Sequence, residues 1–251
     1  MPKRPEWSGP AIITASFALL VWLETRRELR PRTESKLRRN VRNFAVAALS
    51  GLTLRVLERP LLTPLTRAVE RRSWKLPDAL AIVLLDYTLY IWHVLTHKAP
   101  ILWRLHKVHH TDLDLDASTG LRFHFAEMAA SVPWRAAQVV VLGVTPRAYA
   151  LWQNLLLVSI FFHHSNVRLP VRFERWLCRF VVTPRMHGIH HSIGAREVNS
   201  NWSSGLTVWD RLHGTLNLNV PQAAITIGAP GFRQPEDVTL ARILAQPFRL
   251  D

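Results

Sequence analysis

The sequence contains a single cysteine, Cys178, in 251 residues. That excludes an internal disulfide and any thiolate cluster, and leaves Cys178 as a small buried residue rather than a ligand. A C-x-x-C-H haem attachment site is excluded too, and no G-x-G-x-x-G run for a flavin or nicotinamide is present. Acids are scarce beside bases: 18 Asp and Glu stand against 32 Lys and Arg, a formal charge of +14. Histidine is missing from the first 92 residues, although the chain holds twelve.

What is present points to a lipid environment. Apolar residues make up 48% of the chain, ten residues are tryptophan, and the mean hydropathy is +0.04. That is enough for one domain with a sizeable core. A soluble enzyme rarely joins those traits to so large a positive charge, whereas apolar spans alternating with basic loops do. A nucleic-acid protein shares the charge but has no need of runs such as Ala11–Trp22. The expected fold is an all-α integral membrane bundle, with no nucleic acid among its partners.

Along the chain, Pro2-Lys3-Arg4 makes a basic start with no small-residue cleavage site after the apolar run. Pro10 to Glu24 falls short of the roughly 20 residues of an untilted span. Arg26, Arg27, Arg30, Arg32, Lys36, Arg38, Arg39 and Arg42 then read as a basic cytoplasmic loop. Phe44 to Leu65 is apolar but broken by Arg55, Glu58, Arg59 and two prolines, which suits a re-entrant or interfacial helix pair. Pro77-Asp78 opens a helix that runs apolar from Ala79 to His97 and ends at Lys98 and Pro100. Leu102 to His110 starts the next, with Trp103 as an interfacial anchor. The aspartate-rich stretch Thr111 to Thr119 reads as a water-exposed loop. Ala129–Val144 and Tyr149–Phe162 form a helical hairpin across Gly143 and Pro146. Three regions follow: membrane-associated helices with a basic loop at 1–76, a catalytic region at 77–219, and an extramembrane tail at 220–251.

The histidines carry the chemistry. His93 and His97 are four apart; His106, His109 and His110 form H-x-x-H-H, and His187, His190 and His191 form it again. On a helix, positions i, i+3 and i+4 share a face. A bare H-x-x-x-H is weak, but two H-x-x-H-H boxes beside it are not. Eight imidazoles so placed repel when protonated and lack partners when buried neutral; a shared metal removes both problems. His163 and His164 return at the end of the hairpin, with His164 the favoured ligand of the two. His124 and Glu127, one turn apart, are candidates to orient the ligands or to join them, and Asn201 and Asp210 to hold their second ring nitrogens. Each of these has a plainer alternative, an ion pair at a helix start or a capped turn.

The ordered set H-x-x-x-H, H-x-x-H-H, R-x-H-x-x-E, H-S-N, T-P-x-M-H-x-I-H-H-S and W-D-R-L-x-G-T resembles the fatty acid hydroxylase/sterol desaturase superfamily, from about Asp86 to Thr215. The resemblance implies a membrane oxidoreductase whose cytoplasm-facing histidines hold two iron ions, or zinc in an isolated preparation. It implies His93, His97, His106, His109, His110, His187, His190 and His191 as ligands, with His164 matching a further family histidine. Phe125 stands where the family usually has proline, Asn199 departs from its D-x-N, and His213 replaces a phenylalanine, which marks His213 as incidental. The implied reaction hydroxylates or desaturates an unactivated C–H bond of a lipid, using O2 and two electrons from a separate carrier protein. A zinc-dependent hydrolase using the same imidazoles, with Glu127 as base, and a non-catalytic metal-binding protein are the alternatives.

Overall fold

The computed structural model describes residues 8–249; the basic start Pro2-Lys3-Arg4 lies outside them. Among the described residues the chain is helical and holds no strand, only isolated β-bridges. Helix α1 spans Ser8–Arg26, α2 Lys36–Thr53, α3 Arg59–Glu70, α4 Asp78–Lys98, α5 Pro100–His110, α6 Phe125–Leu142 and α7 Pro146–His164. The short helices α8 (Val171–Leu177), α9 (Pro184–His190), α10 (Val208–Leu212) and α11 (Leu240–Ala245) follow.

Local chemistry sets the boundaries that matter. Ala99 is extended because Pro100 follows it, so α4 ends there and α5 starts with proline in its first turn. This one-residue elbow folds the C-terminal turn of α4 back on α5. Gly143 ends α6 in the left-handed region (φ 62°), where a Cβ would also crowd Trp74 and Lys75. Thr145 then caps α7 and donates to Asp78 Oδ1 at 2.8 Å, pinning the α6–α7 hairpin to the start of α4. The apolar core between α3, α4, α6 and α7 centres on Leu62, Val69, Leu85, Val132, Val139 and Trp152. A second core joins Val46 of α2 and Val108 of α5 to Val238 and Ile243 of the C-terminal segment.

Of the described helices, α4 is the one long and apolar enough to cross a membrane, with a mean hydropathy of 1.6. Large apolar side chains also face outward elsewhere: Ile12, Leu19 and Trp22 on α1, Leu37, Val41, Phe44 and Leu52 on α2, and Leu151 and Leu155 on α7. The interrupted segment Phe44 to Leu65 runs through two helices, α2 and α3, with no loop between them. A turn of π-helix at Leu54–Glu58 carries α2 directly into α3.

Two expectations fail in the same place. The aspartate-rich stretch is not water-exposed, and the arginines before it are not all in a loop. Asp112, Asp114 and Asp116 are buried, as are Arg39 and Arg42, which lie on α2. Arg39 donates to Asp112 Oδ1 at 3.0 Å and to Asp116 Oδ2 at 2.9 Å, while Asn43 donates to Asp112 Oδ2 at 3.0 Å. Arg122 links this cluster to α5 through the Val108 carbonyl at 2.9 Å and Thr111 Oγ1 at 2.9 Å. Burial lowers Arg122 to about 10, so it stays cationic at neutral pH. Burial pushes the Asp112 carboxyl up, but Arg39, Arg122 and Arg42 outweigh it and hold the group below the usual carboxylate range. Alone, these charges would be ruinous in a core; paired, they lock the end of α5.

Arg39→Ala is therefore expected to lower the unfolding free energy by about 3–5 kcal/mol, the cost of leaving buried charge unpaired. The exposed neighbour change Arg38→Ala should leave the thermal midpoint in detergent where it is. Because the folded-state pKa of Asp112 is depressed, its stabilisation is present at neutral pH and fades as pH falls through the carboxylate range. The wild-type midpoint should drop on acidification there, and that of Arg39→Ala should drop less.

Candidate metal centre

The histidines converge as two groups. His93 and His97 of α4, His106 and His110 of α5, and His190 of α9 offer ring nitrogens that all lie within 4.8 Å of one another. His109 of α5, His164 of α7, and His187 and His191 at the end of α9 form the second group by the same measure. The two H-x-x-H-H boxes contribute reciprocally. In α5 the first and fifth positions face the first group and the fourth faces the second; in α9 the assignment is reversed. The groups adjoin, with the His110 and His191 rings stacked 4.3 Å apart.

The tautomers follow from the partners. His93 Nδ1 lies 2.7 Å from the Trp202 carbonyl, His190 Nδ1 2.9 Å from the Ser200 carbonyl, and His164 Nδ1 2.8 Å from the Ile160 carbonyl. His106 Nδ1 lies 2.7 Å from Glu127 Oε1. Carbonyls only accept, so the Nδ1 atoms facing them carry the protons and the Nε2 atoms keep lone pairs. Yet His93 Nε2 and His190 Nε2 face each other at 3.1 Å. Two lone pairs at that distance repel, and a cation between them turns the contact into attraction. Among the described residues the Nε2 atoms of His97, His106 and His110 have no hydrogen-bond partner. Burial first, then neighbouring imidazoles, hold His109, His110, His187 and His191 well below their ordinary pKa, and His190 falls to about 3. Neutral imidazole is the form that binds metal. The donor set thus fits two metal ions, one for each group.

The remaining sequence candidates sit around the groups. His163 packs against His187 with ring centroids 4.1 Å apart but belongs to neither set. Glu127 orients His106. His124 caps α6, taking the Ala126 N–H at 3.1 Å, and its other nitrogen meets the Leu244 carbonyl at 3.2 Å; it is turned away from the histidines. Asn201 and Asp210 do not hold ring nitrogens, as the sequence suggested. Asn201, at φ 55°, bonds the Met186 and Asn217 carbonyls. Asp210 accepts the Trp202 and Ser203 N–H groups at 2.9 and 3.0 Å. Together they shape the turn whose Ser200 and Trp202 carbonyls meet the rings. Arg30 was not anticipated: its guanidinium reaches the Pro184 carbonyl at 2.9 Å and occupies the space a side chain at Gly188 would need. His213 stacks on Tyr87 and Tyr90, away from both groups. Cys178 is buried and free.

A cavity of about 390 Å³ opens onto the groups. His93, His106, His109, His163, His164 and His187 line one end, and Leu89, Trp92, Trp134, Trp152, Leu156 and Ile160 line much of the rest.

The family model for fatty acid hydroxylases matches residues 79–215, more than half of the chain. The chain belongs to the fatty acid hydroxylase family. It is 33% identical over 171 residues to the ornithine lipid hydroxylase OlsE of Rhizobium tropici, covering 67% of this chain and 49% of that protein. Over 130 residues it is 28% identical to the alkylglycerol monooxygenase of Homo sapiens, covering 52% of this chain and 28% of that one. With the cholesterol 25-hydroxylase of Homo sapiens the identity is 28% over 143 residues, covering 54% and 49%. The chain thus spans about half or less of the length of these relatives. No solved structure matches it.

His190→Ala and His109→Ala, one from each group, should each bind less metal than the wild type by elemental analysis, with helicity by circular dichroism retained. His213→Ala should keep full stoichiometry. Full metal in both of the first two variants would overturn the proposed centre.

Proposed function

We propose that this chain is a membrane-bound non-haem di-iron oxygenase that hydroxylates an unactivated C–H bond of a lipid. His93, His97, His106, His110 and His190 would hold one ion, and His109, His164, His187 and His191 the other. When bound, the iron pair supplies O2 activation and C–H oxidation, drawing two electrons from a separate carrier. The observation that carries the reading is the facing Nε2 pair of His93 and His190, with His93 also lining the end of a mostly apolar cavity.

The chain's own residues do the rest. Glu127 and the Ser200, Trp202 and Ile160 carbonyls fix ring tautomers, so that lone pairs converge without rearrangement when metal enters. The aromatic and aliphatic wall binds an alkyl chain and excludes water from the oxidising end. Helix α4 delivers His93 and His97 at the C-terminal end of its apolar run, which suits a centre at the membrane boundary fed from the bilayer. The basic surface supports a cytoplasmic orientation and an acidic electron carrier. Hydroxylation is favoured over desaturation by the names of the similar proteins. Zinc-dependent hydrolysis is disfavoured because Glu127, the acid it would need as base, is committed to His106.

The decisive experiment is metal analysis of detergent-purified protein with Mössbauer spectroscopy of iron-57-grown cells, followed by O2 uptake with a lipid pool and an added reductant. Two coupled irons per chain and O2 consumed in step with hydroxylated lipid are expected. Zinc alone, with no oxidation after iron reconstitution, would sink the proposal.

A further inference from the structure

Glu58 is a buried acid with no part in the histidine centre. It closes the π-helical turn between α2 and α3, and both its oxygens are engaged. Arg135 Nη1 donates to one at 2.7 Å; Tyr149 Oη and Gln153 Nε2 donate to the other at 2.8 and 2.9 Å. Arg135 is not used up in return. Among the described residues the partner of its Nη2 is the Met128 sulfur, 4.0 Å away, a weak acceptor. Arg135 and Met128 both line the cavity that ends at the histidines.

Glu127, Ser131 and Arg135 line that cavity at i, i+4 and i+8 of α6. Eight residues of helix place Arg135 about 12 Å along the axis from the acid that holds His106. The cavity therefore has a metal-binding end and, two turns away, a fixed hydrogen-bond donor, with Ser131 and a mostly apolar wall between. A bare hydrocarbon offers that donor no acceptor.

We infer that Arg135, held in place by Glu58, binds the polar end of the substrate, and that the substrate is a neutral acyl ester or amide whose carbonyl oxygen accepts from Nη2. The inference rests on the hydroxylase reading and narrows its substrate class. Charge decides between carbonyl and carboxylate. Glu58 already balances Arg135, and Glu127 adds a further acid toward the histidines. A fatty-acid carboxylate would bring another anion up to a guanidinium that Glu58 already neutralises. A carbonyl takes the free N–H without that cost. The spacing from Arg135 to the histidines then acts as a ruler, selecting carbons well down the acyl chain.

Binding tests this without turnover. Trp92, Trp134 and Trp152 line the cavity, so a brominated acyl chain entering it should quench their fluorescence. The full chain in detergent would be titrated with methyl dibromostearate and with dibromostearate, at a pH where the acid is ionised. Wild type should bind the ester roughly tenfold more tightly, the scale of one hydrogen bond from a charged donor. Glu58→Gln, which leaves the guanidinium uncompensated, should reverse the preference toward the carboxylate. Arg135→Met combined with Glu58→Gln should abolish discrimination. A wild type that prefers the carboxylate overturns the inference and needs no variant to fold. So does a Glu58→Gln chain that folds and keeps the wild-type preference. The two readings fail separately: discrimination as described in a chain that never oxidises lipid would refute the hydroxylase and leave the Arg135 site standing. Turnover with no ester preference would do the reverse.

Discussion

Nine imidazoles crowded into two touching groups cannot all carry protons, and as neutral rings they cannot all find hydrogen-bond partners. That constraint governs the structure around them. Desolvation disfavours the protonated rings of His109, His110, His187, His190 and His191; fixed acceptors on Nδ1 decide which nitrogen keeps its lone pair in His93, His106, His164 and His190. The result is an interior preorganised for cations, and the cost of the mutual repulsion must be met by the rest of the fold. It is met at the ends of the ligand-bearing helices. Arg122 holds the carbonyl and hydroxyl groups at the end of α5, Arg30 holds the start of α9, and Asn201 and Asp210 hold the turn that faces both.

The outer polarity is the complement of this interior. Arg39, Arg122, five aspartates and most of the histidines are buried, while leucine, valine, phenylalanine and tryptophan side chains on α1, α2 and α7 face outward. In water such a distribution would be costly on both counts. Against hydrocarbon the outward face costs nothing, and paired charges inside are the only kind the interior tolerates.

The sequence was most legible where the signal is local. Pro77-Asp78, Lys98 and Pro100, Gly143 and Pro146 mark the ends of α4, α6 and α7 within a few residues, because caps and breakers act through their own backbone. The spacing within the histidine boxes was equally local. What failed was long-range. An aspartate-rich stretch looks solvent-exposed until Arg39 and Asn43, some seventy residues earlier in the chain, turn inward to meet it. The π turn at Leu54–Glu58 had no sequence cue beyond charges in an apolar run, and those charges suggested a break that the helix does not make. The ring partners escaped detection for another reason. They are main-chain carbonyls of Ser200 and Trp202, and any residue supplies a carbonyl; only the side chains that shape the turn, Asn201 and Asp210, left a trace, and it suggested direct contact.

Glu58 and Arg135 show why an apparent interruption in an apolar segment deserves a physical reading. A charged residue inside an apolar helical segment is tolerated when it turns inward and finds a partner. Accommodating it required a π turn, which rotates Glu58 toward α6 and α7 while Val56 and Leu57 stay outside. A structural ion pair could have been sealed by apolar packing on all sides. This one is left with a guanidinium nitrogen on the wall of the cavity that leads to the histidines. The helix irregularity, the buried acid and the open donor are then one arrangement: the acid fixes and neutralises the arginine, and the arginine gives a mostly apolar cavity a charged reference point from which position along a chain can be measured.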